Sequence, residues 1–280
     1  MDKLDISDVL KRAERLPSLP LAVQEVIRSF DDERLDAASL AQKISQDQGL
    51  AAKVLRVANS PFYGLSGEIG SIQEAVVVLG FHTIRTLATA AGIVSRFQLK
   101  ETGGFDQRAF WQHSVGTAVC ARVFAKRLKM NQEIAFTAGL LHDIGRMILA
   151  ACCQPEFAKV IAHQKQTGCT LLAAERAVLG TDHAEIGAET VRQWKFPEQI
   201  QTVIRRHHVP DDEPVTPLAD LVHIADEFCH CLEGICRELD LVPRLAPGAW
   251  RRLGLNWREM EGCLPEIEQL KAGASLLLAA

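Results

Sequence analysis

Eight of the nine histidines in this 280-residue chain fall between Trp111 and Cys231, and seven of them, His113, His142, His183, His207, His208, His223 and His230, stand in settings that read as inside helices or at helix ends. In AGLLHDIGRMIL (138–149), His142 and Asp143 stand side by side in an otherwise apolar stretch. Burying an imidazole beside a carboxylate costs free energy unless something pairs with both. His207 and His208 are adjacent at the end of PEQIQTVIRRHH, and Asp226 sits in the apolar LVHIADEF. Neighbouring helical side chains diverge by about 100°, so an adjacent pair can serve two ions, or one ion and its outer shell. Neutral imidazole with carboxylate suits divalent transition metals such as Fe, Mn, Zn or Ni, and a divalent cation would offset the buried carboxylates. The residues alone leave a second reading open, a hydrogen-bonded His142–Asp143 core pair with no ion. Neither HExxH nor a Cys/His finger spacing is present. His82 and His163 stand on polar-flanked positions and read as structural or surface residues.

The elements that must position these residues are helical almost throughout, and the fold class is all-α. In SLAQKISQDQGLAAKVLRVAN (39–59), Leu40, Ile44, Leu50, Val54, Leu55 and Val57 recur close to a helical period. Ser71 and Glu74 form a capping-box signature that predicts a helix over 71–97, in spite of the β-branched EAVVVLGF. EIAFTAGLLHDIGRMILAA reads as a single apolar helix carrying the His–Asp pair. Three regions follow: an N-terminal helical block (1–100), a histidine-bearing helical block (101–235) and a C-terminal helical extension (236–280). The Gly-Gly pair in LKETGGFD (99–106) is the expected joint between the first two.

Composition excludes some classes. Apolar residues at 48% and charged residues at 24% are the mix of a globular protein with a sizeable core. The net charge of −4 argues against a protein that coats nucleic acid, since phosphate binding needs a basic surface. The charged N-terminus lacks the apolar core of a secretory leader, and no uninterrupted apolar run nears the roughly 18 residues of a membrane span. The eight cysteines include no CxxC pair and show no disulfide framework. Reduced thiols and a cytoplasmic location are therefore expected. A redox role for the neighbours Cys152 and Cys153 is disfavoured because no cation stands near them in sequence.

Longer motifs carry a resemblance. LPSLP (16–20), DQGLAAKVLRVANSPFYGL (47–65) and SIQEAVVVLGFHTIRTL (71–87) occupy the first half, and FWQHSVGTA (110–118), AFTAGLLHDIGRMIL (135–149), GTDHAEIGAETVRQWKFPEQI (180–200) and RRHH (205–208) the second. Over about residues 15–235 the chain resembles the HDOD family, a branch of the HD superfamily in bacterial signalling proteins. The resemblance implies a multi-helix HDOD fold around an HD-type helical core. It implies one metal on His113, His142, Asp143 and Asp226, and a second sharing Asp143 and taking His183, His207 and His208.

Two functions follow from the resemblance. The first is a regulatory module that binds signalling proteins or a nucleotide, with the HD pocket kept as a metal site. The second is a metal-dependent phosphohydrolase acting on a nucleotide or phosphodiester, with Asp143 and Arg146 at the reacting centre. The related HD-GYP proteins carry lysine where this chain has Arg146, and a glycine-rich stretch where it reads HHVPDDEPVTP. Arginine still holds phosphate, with a planar fork in place of a point charge. ANSPFYGL, with Pro61, Phe62 and the lone tyrosine Tyr63, reads either as a contact surface or as a packed loop.

Overall fold

The computed structural model of the protein describes residues 4–13, 19–30, 36–60, 63–65, 67–97, 105–233 and 245–278, which contain helices and no strand. The first six helices are α1 (Ile6–Ala13), α2 (Leu21–Arg28), α3 (Ala37–Ser45), α4 (Gln48–Ala58), α5 (Ile72–Leu79) and α6 (Phe81–Arg96). Side-chain caps set several starts. Asp36, Asp47 and Ser71 accept the amides of Ser39, Leu50 and Glu74, each satisfying a donor that the helix itself cannot. The expected helix over 71–97 is broken in two. Gly80, at φ 88°, turns the chain between α5 and α6, a conformation that costs other residues more. Glu74 bonds the Gly70 amide, one residue before the cap.

The next eight are α7 (Gln107–Arg127), α8 (Gln132–Leu141), α9 (Ile144–Cys152), α10 (Gln154–Thr167), α11 (Leu171–Leu179), α12 (His183–Gln193), α13 (Glu198–Arg206) and α14 (Pro217–Glu233). The single apolar helix expected through the His–Asp pair is also two, with His142 and Asp143 at the joint between α8 and α9. This stretch, Gln132–Cys152, has the length and composition of a membrane span, but it is mostly buried inside the protein. Long α7 lies against α8 and α14, while α9, α12 and α13 pack in sequence beside them.

The core is one continuous apolar cluster from Val9 to Leu277. Helices α2–α5 gather around α6, which meets α8. The first helix instead lies on α9 and α12; beside them the Leu4 amide bonds Leu179 O of α11, and Arg12 pairs with Glu156 of α10 at 3.0 Å. The expected joint at 99–106 falls outside the described residues except for Phe105 and Asp106. Of the C-terminal extension, α15 (Pro247–Leu253), α16 (Trp257–Glu261), α17 (Leu264–Ala274) and a final 3-10 turn (Ser275–Leu278) are described. Here α15 packs on α14, α17 on α7, and the 3-10 turn on α4, α6 and α7. The extension is thus part of the packed body.

Pro61 and Phe62 lie outside the described residues. Tyr63 packs against the core beneath the Arg122 guanidinium, 5.9 Å from the ring centre. Among the described residues the cysteines are free thiols. The absence of a cation near Cys153 does not hold in space, because Arg12 comes within 3.7 Å of its sulfur. Burial nevertheless wins and pushes the Cys153 thiol up, away from reactivity.

Candidate metal centre

Close backbone approach makes the pocket. A Cβ on Gly145 would stand 1.9 Å from the His183 carbonyl oxygen and 2.8 Å from the Gly187 nitrogen. Only glycine lets α9 and α12 meet so closely. That meeting brings Asp143, just before α9, to His183, the first residue of α12, with Oδ1 and Nε2 3.1 Å apart. His207 and His208 follow α13, and His207 Nε2 is 3.5 Å from the same Asp143 oxygen. His208 Nε2 lies 2.8 Å from His183 Nε2. Asp143, His183, His207 and His208 thus bring their ligand atoms within 4.8 Å of one another.

A second group of the same kind surrounds Asp226. His113 Nε2, from the middle of α7, is 2.9 Å from Asp226 Oδ1, and His142 Nε2 is 3.5 Å from it. His230, one helical turn on along α14, brings Nε2 to 3.5 Å from that oxygen. The two groups meet through His142, whose Nε2 is 3.6 Å from Asp143 Oδ2. All seven expected ligands thus converge in one buried region, with His208 half-buried at its edge. His82, exposed on α6, and His163, half-buried on α10, stand apart from it.

The rings are held by their far sides. His142 Nδ1 donates to Gly139 O at 2.7 Å and His207 Nδ1 to Ile204 O at 2.7 Å. His183 Nδ1 donates to buried Glu175 Oε2 at 2.6 Å, and that oxygen also accepts the His183 amide at 2.9 Å. Anchoring Nδ1–H in this way turns the Nε2 lone pair inward, the usual preparation of a metal-binding histidine. The inward Nε2 atoms of His142 and His207 are buried without a hydrogen-bond partner. An orphaned buried acceptor costs about 1–3 kcal/mol. A cation among these rings would remove that cost, so the donor set fits a metal.

The charges of the pocket agree. Burial pulls the His183 pKa down, but Glu175 and Asp143 outweigh it and raise it to about 10. The two carboxylates call for positive charge at that ring, which a proton or a metal can supply. Burial would raise the Asp143 and Asp226 carboxyls, yet the imidazoles around them, with Arg146 at Asp143, hold both well below the usual range. Burial and neighbouring imidazoles lower His208, and burial above all lowers His207. Both favour the neutral form that a metal takes. Glu227 is pushed up to about 8 by burial and by Asp226.

Arg146, in the first turn of α9, donates from Nη1 to Asp143 Oδ2 at 2.8 Å, with its side chain 23% exposed. The stretch after the paired histidines is tied down: Arg252 of α15 reaches Pro210 O and Asp211, and Arg206 reaches Glu213 O. His223 is not among the converging rings. Its Nδ1 donates to His207 O and its Nε2 accepts the Ala246 amide, so both nitrogens are used and the ring braces the loop before α15.

The family model for the HDOD domain matches residues 16–210. The chain belongs to the HDOD family. The HDOD fold is shared with a solved protein from Shewanella amazonensis described as a "Putative phosphohydrolase", 30% identical over 97% of this chain and 98% of that one, with a TM-score of 0.78. An HDOD domain protein of unknown function from Geobacter sulfurreducens is 26% identical over 99% of this chain and 100% of that one, also at 0.78. Ribonuclease Y of Geobacter metallireducens is 28% identical over 76% of this HDOD chain and 35% of that protein. The chain spans less than half the length of the curated relatives it first matches.

Sequence reasoning did not assign His230 or Glu175 to the pocket. Asp226 and His230 are four residues apart on a helix, a spacing that puts both on one face and could have marked His230. Glu175 is eight residues before His183 and on another helix, so no local spacing announces it.

Proposed function

We propose that this HDOD protein is a bacterial signalling regulator whose HD pocket holds one or two divalent transition metals, Fe, Mn, Zn or Ni. Through them it binds an anionic nucleotide or phosphoester, and its helical surface meets signalling proteins. The observation that carries this reading is the convergence of inward-facing Nε2 atoms on two buried carboxylates, with two of those atoms left unpartnered. An apolar-packed pair would not need six imidazoles around two carboxylates.

The test is elemental analysis of protein purified without an affinity tag or nickel resin. One or two transition-metal ions per chain are expected, and His142→Ala or Asp143→Ala lowers that content. Wild-type protein without stoichiometric metal would sink the reading.

Arg146 favours a second reading, a metal-dependent phosphohydrolase. Its guanidinium is held against Asp143 and is partly exposed, where a planar fork could orient a phosphate. A bound divalent ion would lower the pKa of its water toward neutrality and offset charge on phosphoryl oxygens. The buried carboxylates and imidazoles would hold the ion, and the packed helices would keep bulk water away. Turnover of a phosphodiester or phosphomonoester that disappears in folded Asp143→Ala would establish this reading. Metal without turnover leaves the regulatory one.

A further inference from the structure

The family model ends at residue 210, yet the chain beyond it grips the turn that carries His207 and His208. Those histidines follow α13, at the end where a helix leaves carbonyls without internal partners. His207 O accepts the Nδ1–H of His223, on α14, at 2.7 Å. The other nitrogen of that ring, Nε2, accepts the Ala246 amide at 2.9 Å. A nitrogen that accepts an amide carries no proton, so His223 is the neutral ring protonated at Nδ1. Both His223 and His207 are buried. One rigid ring therefore spans from the backbone of a proposed metal ligand to the residue that caps α15.

Arg252 of α15 makes a second grip on the same turn. Its Nε and Nη2 hold the two oxygens of Asp220, on α14, at 2.8 and 2.6 Å. The Asp220 side chain is 1% exposed, and bidentate pairing with it fixes the plane of the guanidinium. From that fixed position Nη2 also donates to Pro210 O at 3.1 Å and to Asp211 Oδ1 at 2.8 Å. The approach of α15 to the turn is close: a Cβ on Gly248 would stand 2.1 Å from Asp211 Oδ1. The segment from Ala246 to Arg252 thus holds the chain on either side of His208, through His207 O and through Pro210 and Asp211.

We infer that His223 and Arg252 are positioning residues that join metal binding at His207 and His208 to the seating of α15 in one coupled equilibrium. A metal that fixes the two imidazoles fixes the turn that α15 grips. A seated α15 in turn holds the imidazoles where the metal needs them. Such coupling is reciprocal, typically by a factor of about 5–150. A part of the chain outside the family model thereby senses whether the pocket is filled. This inference rests on the metal reading proposed above.

The experiment uses the full chain, purified without nickel resin, stripped with a chelator or loaded with Zn(II). Amide hydrogen exchange is read over residues 245–253, and Zn(II) affinity by competition with a chromophoric chelator. In wild type, Zn(II) is expected to slow exchange there by about fivefold or more. His223→Phe keeps a ring in the buried site but neither hydrogen bond. Its Zn(II) affinity is expected to fall about tenfold, and Zn(II) no longer to slow exchange in α15. Arg252→Gln, which leaves the core untouched, is expected to weaken both readouts and decides the question should His223→Phe fail to fold. Arg251→Gln is the control, since Arg251 bonds Pro247 O of its own helix, and it should change neither. Circular dichroism checks the fold of each variant. Exchange in α15 that is the same with and without bound Zn(II), or wild-type affinity in folded His223→Phe and Arg252→Gln, would overturn the inference and leave the metal reading standing. Wild type that binds no metal would remove the metal reading itself, and this inference with it.

Discussion

The two halves of the pocket use the same donor chemistry on different scaffolds. Around Asp226, His113 and His230 project from the faces of long helices, α7 and α14. Around Asp143 the donors stand at helix ends: the α8–α9 joint, the start of α12 and the turn after α13. A helix face sets the direction of its side chains by spacing alone. A helix end must be brought to its place by tertiary contact. The Asp226 group should therefore tolerate small shifts between helices, and the Asp143 group should not.

The largest expected effect tests that difference at Gly145. Gly145→Ala would put a methyl 1.9 Å from the His183 carbonyl oxygen, and backbone on both sides cannot give way cheaply. Overpacking of this kind costs about 1–3 kcal/mol and occasionally more. The value here should lie at the upper end, read as a lower midpoint of urea unfolding. Metal should be lost from the Asp143 position while the Asp226 position still fills. An unchanged midpoint, or equal weakening at both positions, would erase the distinction between face-built and end-built sites.

Next in size is Glu175→Gln. Glu175 is buried and holds the far side of His183 through Nδ1, whereas His142 leans on a backbone carbonyl. Removing a charged partner behind a ligating histidine typically costs 10–100-fold in metal affinity. Competition with a chromophoric chelator should show that loss at the Asp143 position alone. Equal affinity in Glu175→Gln would mean that the carboxylate only packs.

What was legible in the sequence follows the same division. The all-α class and the start at Ser71 were readable, because caps and apolar periods are local: Ser71 accepts the amide of Glu74, three residues on. The breaks at Asp47, at Gly80 and at His142–Asp143 were not read, since a periodic apolar run looks continuous until the tertiary packing of each piece is known. The HDOD motifs brought the seven expected ligands to one place. They did not bring His230, which has a local spacing signal, or Glu175, which has none. The place of Arg146 on Asp143 Oδ2 was also beyond the pattern, because adjacency along a helix does not say which carboxylate oxygen a guanidinium takes.

The smallest effect concerns the surface behind the Asp143 group. Arg205 of α13 donates to Glu185 at 2.9 Å and Glu189 at 2.8 Å on α12. These pairs join the two helices that deliver His183, His207 and His208. They are also half in solvent, with Arg205 32% and Glu185 44% exposed. Exposed ion pairs contribute about 0.2–1 kcal/mol and fade with salt. Arg205→Ala should thus move the urea midpoint slightly at low ionic strength, not at all at high, and leave metal affinity unchanged at both positions. If it instead empties the Asp143 position, the end-built site is held by charges on the surface. The buried approach of α9 to α12 would then no longer account for its geometry.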